Sequence, residues 1–193
     1  MNIVGFLPFR PRCPSALLGL IIGLSASLGA VHAADPAPPE LGLPIDCRIG
    51  ETCWLVNLVD LDSGSGIRDF RCKDHSYDGH KGVDIAIRDL KAMQDGVAVV
   101  AAAPGVVRAV RDGMADKMPD ADFRKNAKDR YCGNGLVMVH GGGWESQYCH
   151  LRRGSLRVKP GQKIQRGQEL GMVGHSGMAE FSMYISPCAG PER

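Results

Sequence analysis

The residues of this sequence best suited to chemistry are a histidine and an aspartate four positions apart, His80 and Asp84. Side chains alternate between the two faces of a strand, so a strand here would place both residues on one face, with Gly82 between them. The opposite face would pack inward and would carry Val83, Ile85 and Ile87. Imidazole and carboxylate groups suit zinc, and a catalytic zinc ion takes three protein ligands and keeps a position for water. The pair therefore predicts part of a zinc site.

Convergence of this pair on one ion requires a bent chain. A straight strand, at about 3.3 Å per residue, would separate the alpha carbons of His80 and Asp84 by about 13 Å. Gly79 and Gly82 would permit the necessary bend. The alternative interpretation is a surface loop whose aspartate makes ordinary hydrogen bonds.

Short apolar runs separated by glycine, proline and aspartate predict an all-β domain around the pair. Three glycines at 141–143 separate two of these runs and predict a β-hairpin, whose second strand carries His150. Helical character is confined to the polar stretch 115–130, which also fits a surface insertion. The apolar runs are 97–103, 106–110, 136–140, 144–151 and 170–173.

Three segments, in the same order along the chain, resemble the motifs of LytM-type peptidases, the M23 peptidase family. His80-Lys81-Gly82-Val83-Asp84 matches the motif HxGxD. Residues 133–137 and 148–151 resemble the hairpin motif "GxG…YxHL". Residues 158–174 resemble the stretch "VKxGQxVxxGQxIGxxG". The resemblance extends over residues 77–177.

The resemblance implies an antiparallel β-sheet fold of the barrel-sandwich hybrid type found in LytM peptidases. It implies that His80 and Asp84 bind Zn²⁺ and that His150 is a catalytic residue beside the metal. It also implies that the substrate is peptidoglycan, cleaved at its peptide cross-links. Zinc in such a site activates water and polarises the scissile carbonyl.

The C-terminal end departs from this family pattern. LytM-type peptidases complete the site with an HxH motif, whose first His is the catalytic base and whose second is the third zinc ligand. Met183 and Ile185 stand at these positions, and neither side chain replaces an imidazole at zinc. We therefore expect a weak or empty zinc site and impaired activity. The alternative is an inactive LytM-like domain that binds cell wall or regulates a wall amidase.

A frameshift near codon 182 is our hypothesis for this departure. A shift of one nucleotide turns the bases of Met183 and Tyr184 into a valine codon. Histidine codons flank that valine codon if the codons of Ser182 and Tyr184 end in C. The shifted sequence His-Val-His is the pattern of the family, and Cys188 would then belong to an out-of-frame tail.

The N-terminus has the features of a secretory signal. Arg10 and Arg12 precede an apolar run at 16–28, and small residues at 31–33 suit a signal peptidase. We predict a signal peptide over 1–33, a Pro-rich linker over 34–44, a Cys-containing extension over 45–74 and a LytM/M23 peptidase-like domain over 75–193. The protein would be exported to the periplasm or beyond. A membrane contact would arise only if the signal were uncleaved.

Export favours disulfides, and Cys132 and Cys149 are the preferred pair because they flank the predicted hairpin. No CxxC pair is present, which argues against a cysteine zinc cluster. The cysteines of the extension are expected to staple a cap onto the domain. After removal of Cys13 with the signal, the cysteines are Cys47, Cys53, Cys72, Cys132, Cys149 and Cys188.

The remaining residues argue against two other functions and against further metal-binding histidines. A net charge of +2 and short basic runs argue against a nucleic-acid partner. A lipoyl-like carrier would need a modifiable lysine at a hairpin tip, whereas Lys159 and Lys163 lie beside Pro160 and Gly161. The remaining histidines are expected at the surface rather than at a metal; they are His75, His140 and His175.

Overall fold

The computed structural model describes residues 37–179 of the chain. Within that range the chain forms eight strands and two short α-helices. The strands are β1 (Cys53–Asn57), β2 (Asp84–Ile87), β3 (Ala98–Val100), β4 (Gly105–Arg111), β5 (Asn134–Val139), β6 (Glu145–Leu151), β7 (Lys163–Ile164) and β8 (Glu169–Met172). The helices are α1 (Leu90–Asp95) and α2 (Ala121–Asn126), and 3-10 turns occupy Lys128–Arg130 and Gly141–Gly143. The predicted signal peptide and the tail with Met183 and Ile185 lie outside the described residues.

The strands form three antiparallel sheets. One has four strands in the order β6-β5-β4-β7, and the other two are the pairs β1-β2 and β3-β8. Each of the predicted apolar runs overlaps one of these strands. The predicted all-β, antiparallel fold is therefore confirmed.

The predicted β-hairpin is formed by β5 and β6. The strands pair in antiparallel register, with Val137 opposite Gln147. Gly142 and Gly143 in the connection adopt φ of 73° and 80°, which glycine tolerates without the steric cost of a Cβ atom. The disulfide between Cys132 and Cys149 joins the two arms of this hairpin, as predicted.

The core lies between the sheets and contains mainly aliphatic side chains. Tyr148 is fully buried among them, and its hydroxyl accepts a hydrogen bond of 2.9 Å from the backbone N–H of Ala102. The hydroxyl is thus satisfied, as a buried polar group requires. The larger aliphatic members of the core are Ile45, Ile85, Ile87, Val99, Leu136, Met138, Leu151, Ile164 and Leu170.

Residues of the N-terminal extension take part in this fold. Cys53 is fully buried, lies opposite Ile87 in the β1-β2 pair and forms a disulfide with Cys47. Cys72 is exposed and forms no disulfide with another cysteine of residues 37–179. The extension thus contributes a strand as well as a stapled segment.

The two helices begin at aspartate caps. The side chain of Asp89 accepts from the N–H of Ala92 at the start of α1, and that of Asp120 accepts from the N–H of Phe123 in α2. Helix α2 confirms helical character within the stretch 115–130, but the prediction that helix is confined to that stretch is wrong, because α1 lies outside it. In the described part of the chain, no helix has the length and hydrophobicity needed to cross a membrane.

Candidate metal and catalytic site

His80 lies in a tight turn just before strand β2. The turn is closed by a hydrogen bond of 3.0 Å from the N–H of His80 to the carbonyl of Tyr77, and Gly79 adopts a φ of 71°. The imidazole is fully buried and stacks on the ring of Tyr77, with 4.3 Å between the ring centroids. We predicted a strand from His80 onward; this is wrong, because the strand begins only at Asp84.

One ring nitrogen of His80 is fixed by the backbone. Nδ1 lies 2.8 Å from the carbonyl oxygen of Leu58. Because a carbonyl oxygen only accepts, Nδ1 carries a proton, so in the neutral ring Nε2 is the nitrogen with the lone pair. Among residues 37–179 Nε2 has no hydrogen-bond partner, although it is buried. An imidazole held in this way is prepared to bind a metal ion.

The carboxylate of Asp84 faces the same nitrogen. Oδ1 of Asp84 lies 3.3 Å from Nε2 of His80, and both side chains are fully buried. Oδ2 accepts a hydrogen bond of 2.9 Å from Nδ2 of Asn57. Burial raises the pKa of the carboxyl, but the interactions with His80 and Asn57 lower it, and the net pKa is below the ordinary value. The group is therefore ionised at neutral pH.

The chain between these residues is not a straight strand. It bends at Gly82 and enters the strand only at Asp84, and Nε2 of His80 lies 3.3 Å from Oδ1 of Asp84. The predicted bend is therefore present. The predicted inward face is also present in part, since Ile85 and Ile87 are buried and Val83 is half-buried.

His150 occupies the second-last position of β6 in a strained conformation. Its φ is 60°, a value that is uncommon for residues other than glycine. Its backbone N–H donates to the carbonyl of Cys132 at 2.8 Å, and its ring Nδ1 lies 2.6 Å from the carbonyl oxygen of Ser176. Nδ1 is therefore the protonated nitrogen. Nε2 is buried, and no atom of the described chain hydrogen-bonds to it.

The electrostatic environment keeps His150 neutral. Burial lowers the pKa of His150 to about 4, although the carbonyl of Ser176 and the negative charge of Asp84 act in the opposite direction. The influence of Asp84 shows that the His150 ring lies in the electrostatic neighbourhood of the His80 and Asp84 pair. At neutral pH Nε2 is therefore a buried base with an open lone pair.

The other histidines differ in their surroundings. His75 is exposed, as predicted. His140 and His175 were expected at the surface, and this is wrong, since they are 5% and 6% exposed. Nδ1 of His140 binds the carbonyl of Pro104 and Nε2 binds the hydroxyl of Ser146, while Nε2 of His175 binds the carbonyl of Ala179. Both rings use these nitrogens to satisfy buried backbone and side-chain groups.

The described residues do not form a complete metal site. Within the range 37–179 no group of three or more His, Cys, Asp or Glu side chains is arranged to hold a metal ion. His80 and Asp84 are adjacent, whereas His150 does not form a third member of the cluster. The positions of Met183 and Ile185 lie beyond the described range, so the departure at the tail rests on the sequence.

Sequence reasoning missed the contribution of the extension. Asn57 and the carbonyl of Leu58 each bind one member of the pair, and Asp60 binds the turn before His80 through Gly79. The apolar run 53–56 could have indicated a strand. Nothing local identifies its partner strand, because pairing with β2 is a long-range event.

The model of the Peptidase family M23 matches residues 78–186, more than half of the chain. The peptidoglycan DD-endopeptidase ShyA from Vibrio cholerae is 43% identical over 47 residues, which are 24% of this chain and 10% of ShyA. The chain thus matches only a small part of that protein's length.

Solved structures with a similar arrangement include three peptidases. For the catalytic domain of the prophage-encoded M23 protein EnpA from Enterococcus faecalis, the TM-score is 0.47 at 19% identity, covering 72% of this chain and 82% of that one. For a putative peptidase M23 from Pseudomonas aeruginosa, it is 0.42 at 24% identity, covering 79% and 46%. For a zinc-containing peptidase from Vibrio cholerae, it is 0.40 at 21% identity, covering 69% and 35%. On the strength of the family match over 78–186, the chain belongs to peptidase family M23.

Proposed function

We propose that this chain derives from secreted zinc endopeptidases that cut peptide cross-links of bacterial peptidoglycan. His80 and Asp84 are the zinc ligands in this proposal, and His150 is the catalytic residue. The observation that carries it is the buried contact of 3.3 Å between Nε2 of His80 and Oδ1 of Asp84. A neutral imidazole and an ionised carboxylate are the forms in which these groups bind zinc.

In this proposal the zinc ion, His80 and His150 have different roles. Bound zinc would lower the pKa of a water molecule to about 7 and polarise the scissile carbonyl. The carbonyl of Leu58 accepts from Nδ1 of His80 and orients the ring so that Nε2 faces Asp84. The carbonyl of Ser176 accepts from Nδ1 of His150, so in the neutral ring Nε2 is the nitrogen that can accept a proton from the attacking water or hydrogen-bond to the reacting group.

The substrate class is supported by family membership and by a similar protein. ShyA is by name a peptidoglycan DD-endopeptidase, and the similar segment is 43% identical to this chain. Peptidoglycan lies outside the cytoplasm, which agrees with the signal peptide that we predict at 1–33. We therefore place the protein in the periplasm or the extracellular space.

The chain as it stands is proposed to be an impaired enzyme. A catalytic zinc site takes three protein ligands, and the family position of the third holds a residue that cannot replace an imidazole. Met183 and Ile185 stand where HxH is expected. Resequencing the gene tests the frameshift as the origin of this tail. An intact reading frame shared by independent isolates would contradict it.

A second candidate function is a binding module of the same fold. It rests on the sequence observation that Met183 and Ile185 stand at the HxH positions. Such a module would bind wall peptides without cutting them, or regulate a wall amidase. Zinc content separates the two functions.

The decisive experiment measures zinc content and peptidoglycan hydrolysis, with and without a chelator. The chain is compared with a variant whose tail carries Met183→His, Tyr184→Val and Ile185→His. We expect about one zinc per restored chain, chelator-sensitive hydrolysis, and less of both in the original chain.

Two further variants of the restored chain test the ligands. His80→Ala should abolish zinc binding and hydrolysis, whereas His75→Ala should change neither, because His75 is exposed. A restored chain that held no zinc and cleaved nothing would contradict the assignment of His80 and Asp84. It would favour the binding module.

A further inference from the structure

A β-bulge in strand β1 sets the position of Asn57. Leu55 lies opposite Ile85 and Asn57 lies opposite Asp84, so two steps along β1 match one step along β2. Val56 is the extra residue of this bulge. A bulge re-aims the side chains that follow it, and directly opposed residues of an antiparallel pair share one face of the sheet. The bulge therefore places the side chain of Asn57 beside that of Asp84.

The contact between these side chains has a defined direction. Nδ2 of Asn57 donates to Oδ2 of Asp84 over 2.9 Å, because an ionised carboxylate can only accept. Asp84 is fully buried and Asn57 is half-buried, so water competes little for this contact. With Oδ2 held in this way, Oδ1 is the oxygen that faces Nε2 of His80.

We propose that Asn57 is a positioning residue that fixes the orientation of the Asp84 carboxylate toward His80. This inference rests on the proposed function insofar as the pair binds zinc. Partners of this kind orient metal ligands and commonly change metal affinity by about 10- to 100-fold when removed.

The neighbouring residues of the extension support the same role. Leu58 follows Asn57 directly, and its carbonyl accepts from Nδ1 of His80 at 2.8 Å. The N–H of Asp60 donates to the carbonyl of His80 at 2.7 Å. One short segment thus holds both members of the pair, and it lies before residue 78, where the family match begins. The positioning role is therefore a property of this chain's own extension.

The test replaces Asn57 in the full chain by leucine, which has a similar size and no donor. Crystal structures of the metal-free proteins would show whether Oδ1 of Asp84 still faces Nε2 of His80. Competition with a chromophoric chelator would give the zinc affinity. We expect the contact to be lost in Asn57→Leu and the affinity to fall by about 10- to 100-fold.

A matched control is available in helix α2. Nδ2 of Asn126 donates to the carbonyl of Asp122 on the exposed surface. Asn126→Leu removes a comparable hydrogen bond and should leave the zinc affinity unchanged. If Asn57→Leu does not fold, the smaller substitution Asn57→Ala also removes the donor and should show the same loss.

A second measurement distinguishes positioning from a merely structural role. If Asn57 acts through Asp84, then Asn57→Leu should have no further effect on zinc affinity in an Asp84→Asn chain. An equal loss in both backgrounds, or an unmoved Asp84 in the metal-free variant, would overturn the proposal. If the original chain binds no zinc, the affinities are measured in the chain with the restored tail. A restored chain that binds no zinc would instead contradict the proposed function, and the crystal structures would still decide whether Asn57 orients Asp84.

Discussion

Ser176 holds His150 through its backbone carbonyl, which lies 2.6 Å from Nδ1 of the imidazole. Ser176 is fully buried, and its hydroxyl accepts from the N–H of Asn134 and donates to the carbonyl of Leu151, both over 2.8 Å. These contacts tie the segment around Ser176 to the β5-β6 hairpin. The orientation of His150 therefore depends on close packing between two parts of the chain far apart in sequence.

Gly133 is where this packing leaves no room for a side chain. A Cβ atom on Gly133 would collide with the backbone of Ser176, and the residue has a φ of 65°. Gly133→Ala should therefore displace Ser176, release Nδ1 of His150 and lower the free energy of unfolding by about 3 kcal/mol or more. Urea unfolding measures the loss of stability, and NMR of the imidazole detects the released ring.

Gly161 supplies the control for this prediction. It has a φ of 83°, but no atom lies within 4 Å of the position where its Cβ would be. Gly161→Ala carries the backbone strain without the collision and should cost about 1 kcal/mol. Equal losses in the two variants would mean that the approach of Gly133 to Ser176 is unimportant.

The disulfide of the hairpin should stabilise the fold measurably. Cys132 and Cys149 are 17 residues apart, and a loop of that size corresponds to about 3 kcal/mol from reduced entropy of the unfolded chain. The paired variant Cys132→Ser, Cys149→Ser should unfold at correspondingly lower urea. Because Cys132 also provides the carbonyl that binds the N–H of His150, the imidazole should become more mobile. A reductant breaks both disulfides of the original chain but only the Cys47–Cys53 disulfide of this variant. It should therefore lower the stability of the original chain by more.

Local sequence singled out the His80 and Asp84 pair, and the resemblance to the LytM-type motif favoured a zinc site over a surface loop. A histidine and an aspartate at a spacing of four, with glycine before and between them, allow a bent segment. The hairpin carrying His150 was equally predictable, because glycines at 141–143 separate two apolar runs. Candidate metal ligands and turn-forming glycines can be recognised from short-range sequence patterns of this kind.

The position of a single polar residue cannot be predicted from a short-range sequence pattern of this kind. His140 and His175 were assigned to the surface, yet both are buried. The ring of His140 binds the distant carbonyl of Pro104, and that of His175 binds the carbonyl of Ala179, four residues away. Asn57 was missed because its contact with Asp84 depends on the register of β1 against β2, including a bulge at Val56. Strand register and burial arise from long-range packing, which the pattern of residues adjacent in sequence does not encode.

Asp60 should be essential for the turn that precedes His80. One oxygen of its carboxylate accepts from the N–H groups of Asp62 and Arg68, and the other accepts from that of Gly79. These backbone donors, that of Arg68 foremost, lower the pKa of the Asp60 carboxyl. The stabilisation of the fold by the ionised Asp60 carboxylate is present above the ordinary pKa of the carboxyl and is lost as the pH falls through the lowered value.

We expect Asp60→Asn to reduce the melting temperature at pH 7, and the difference from the original chain to shrink as the pH falls below 4. Asp62→Asn is the control, since the side chain of Asp62 accepts a single hydrogen bond, from Gly64 two residues away. A similar change in both variants would contradict a special role of Asp60.

His150 should make the metal-free protein sensitive to mild acid. The pKa of His150 is lowered by burial to about 4 in the folded protein, whereas its ordinary value is 6.5. The unfolded chain therefore takes up a proton below pH 6.5 that the folded chain does not accept until about pH 4. The contribution of neutral His150 to the free energy of unfolding is fully present above pH 6.5 and is lost through this window, by about 3 kcal/mol in total.

Urea unfolding in the presence of a chelator should show a steeper loss of stability in the original chain than in His150→Gln. His75→Gln should keep the steep loss, because His75 is exposed. Parallel curves for the original chain and His150→Gln would mean that His150 titrates normally in the folded protein.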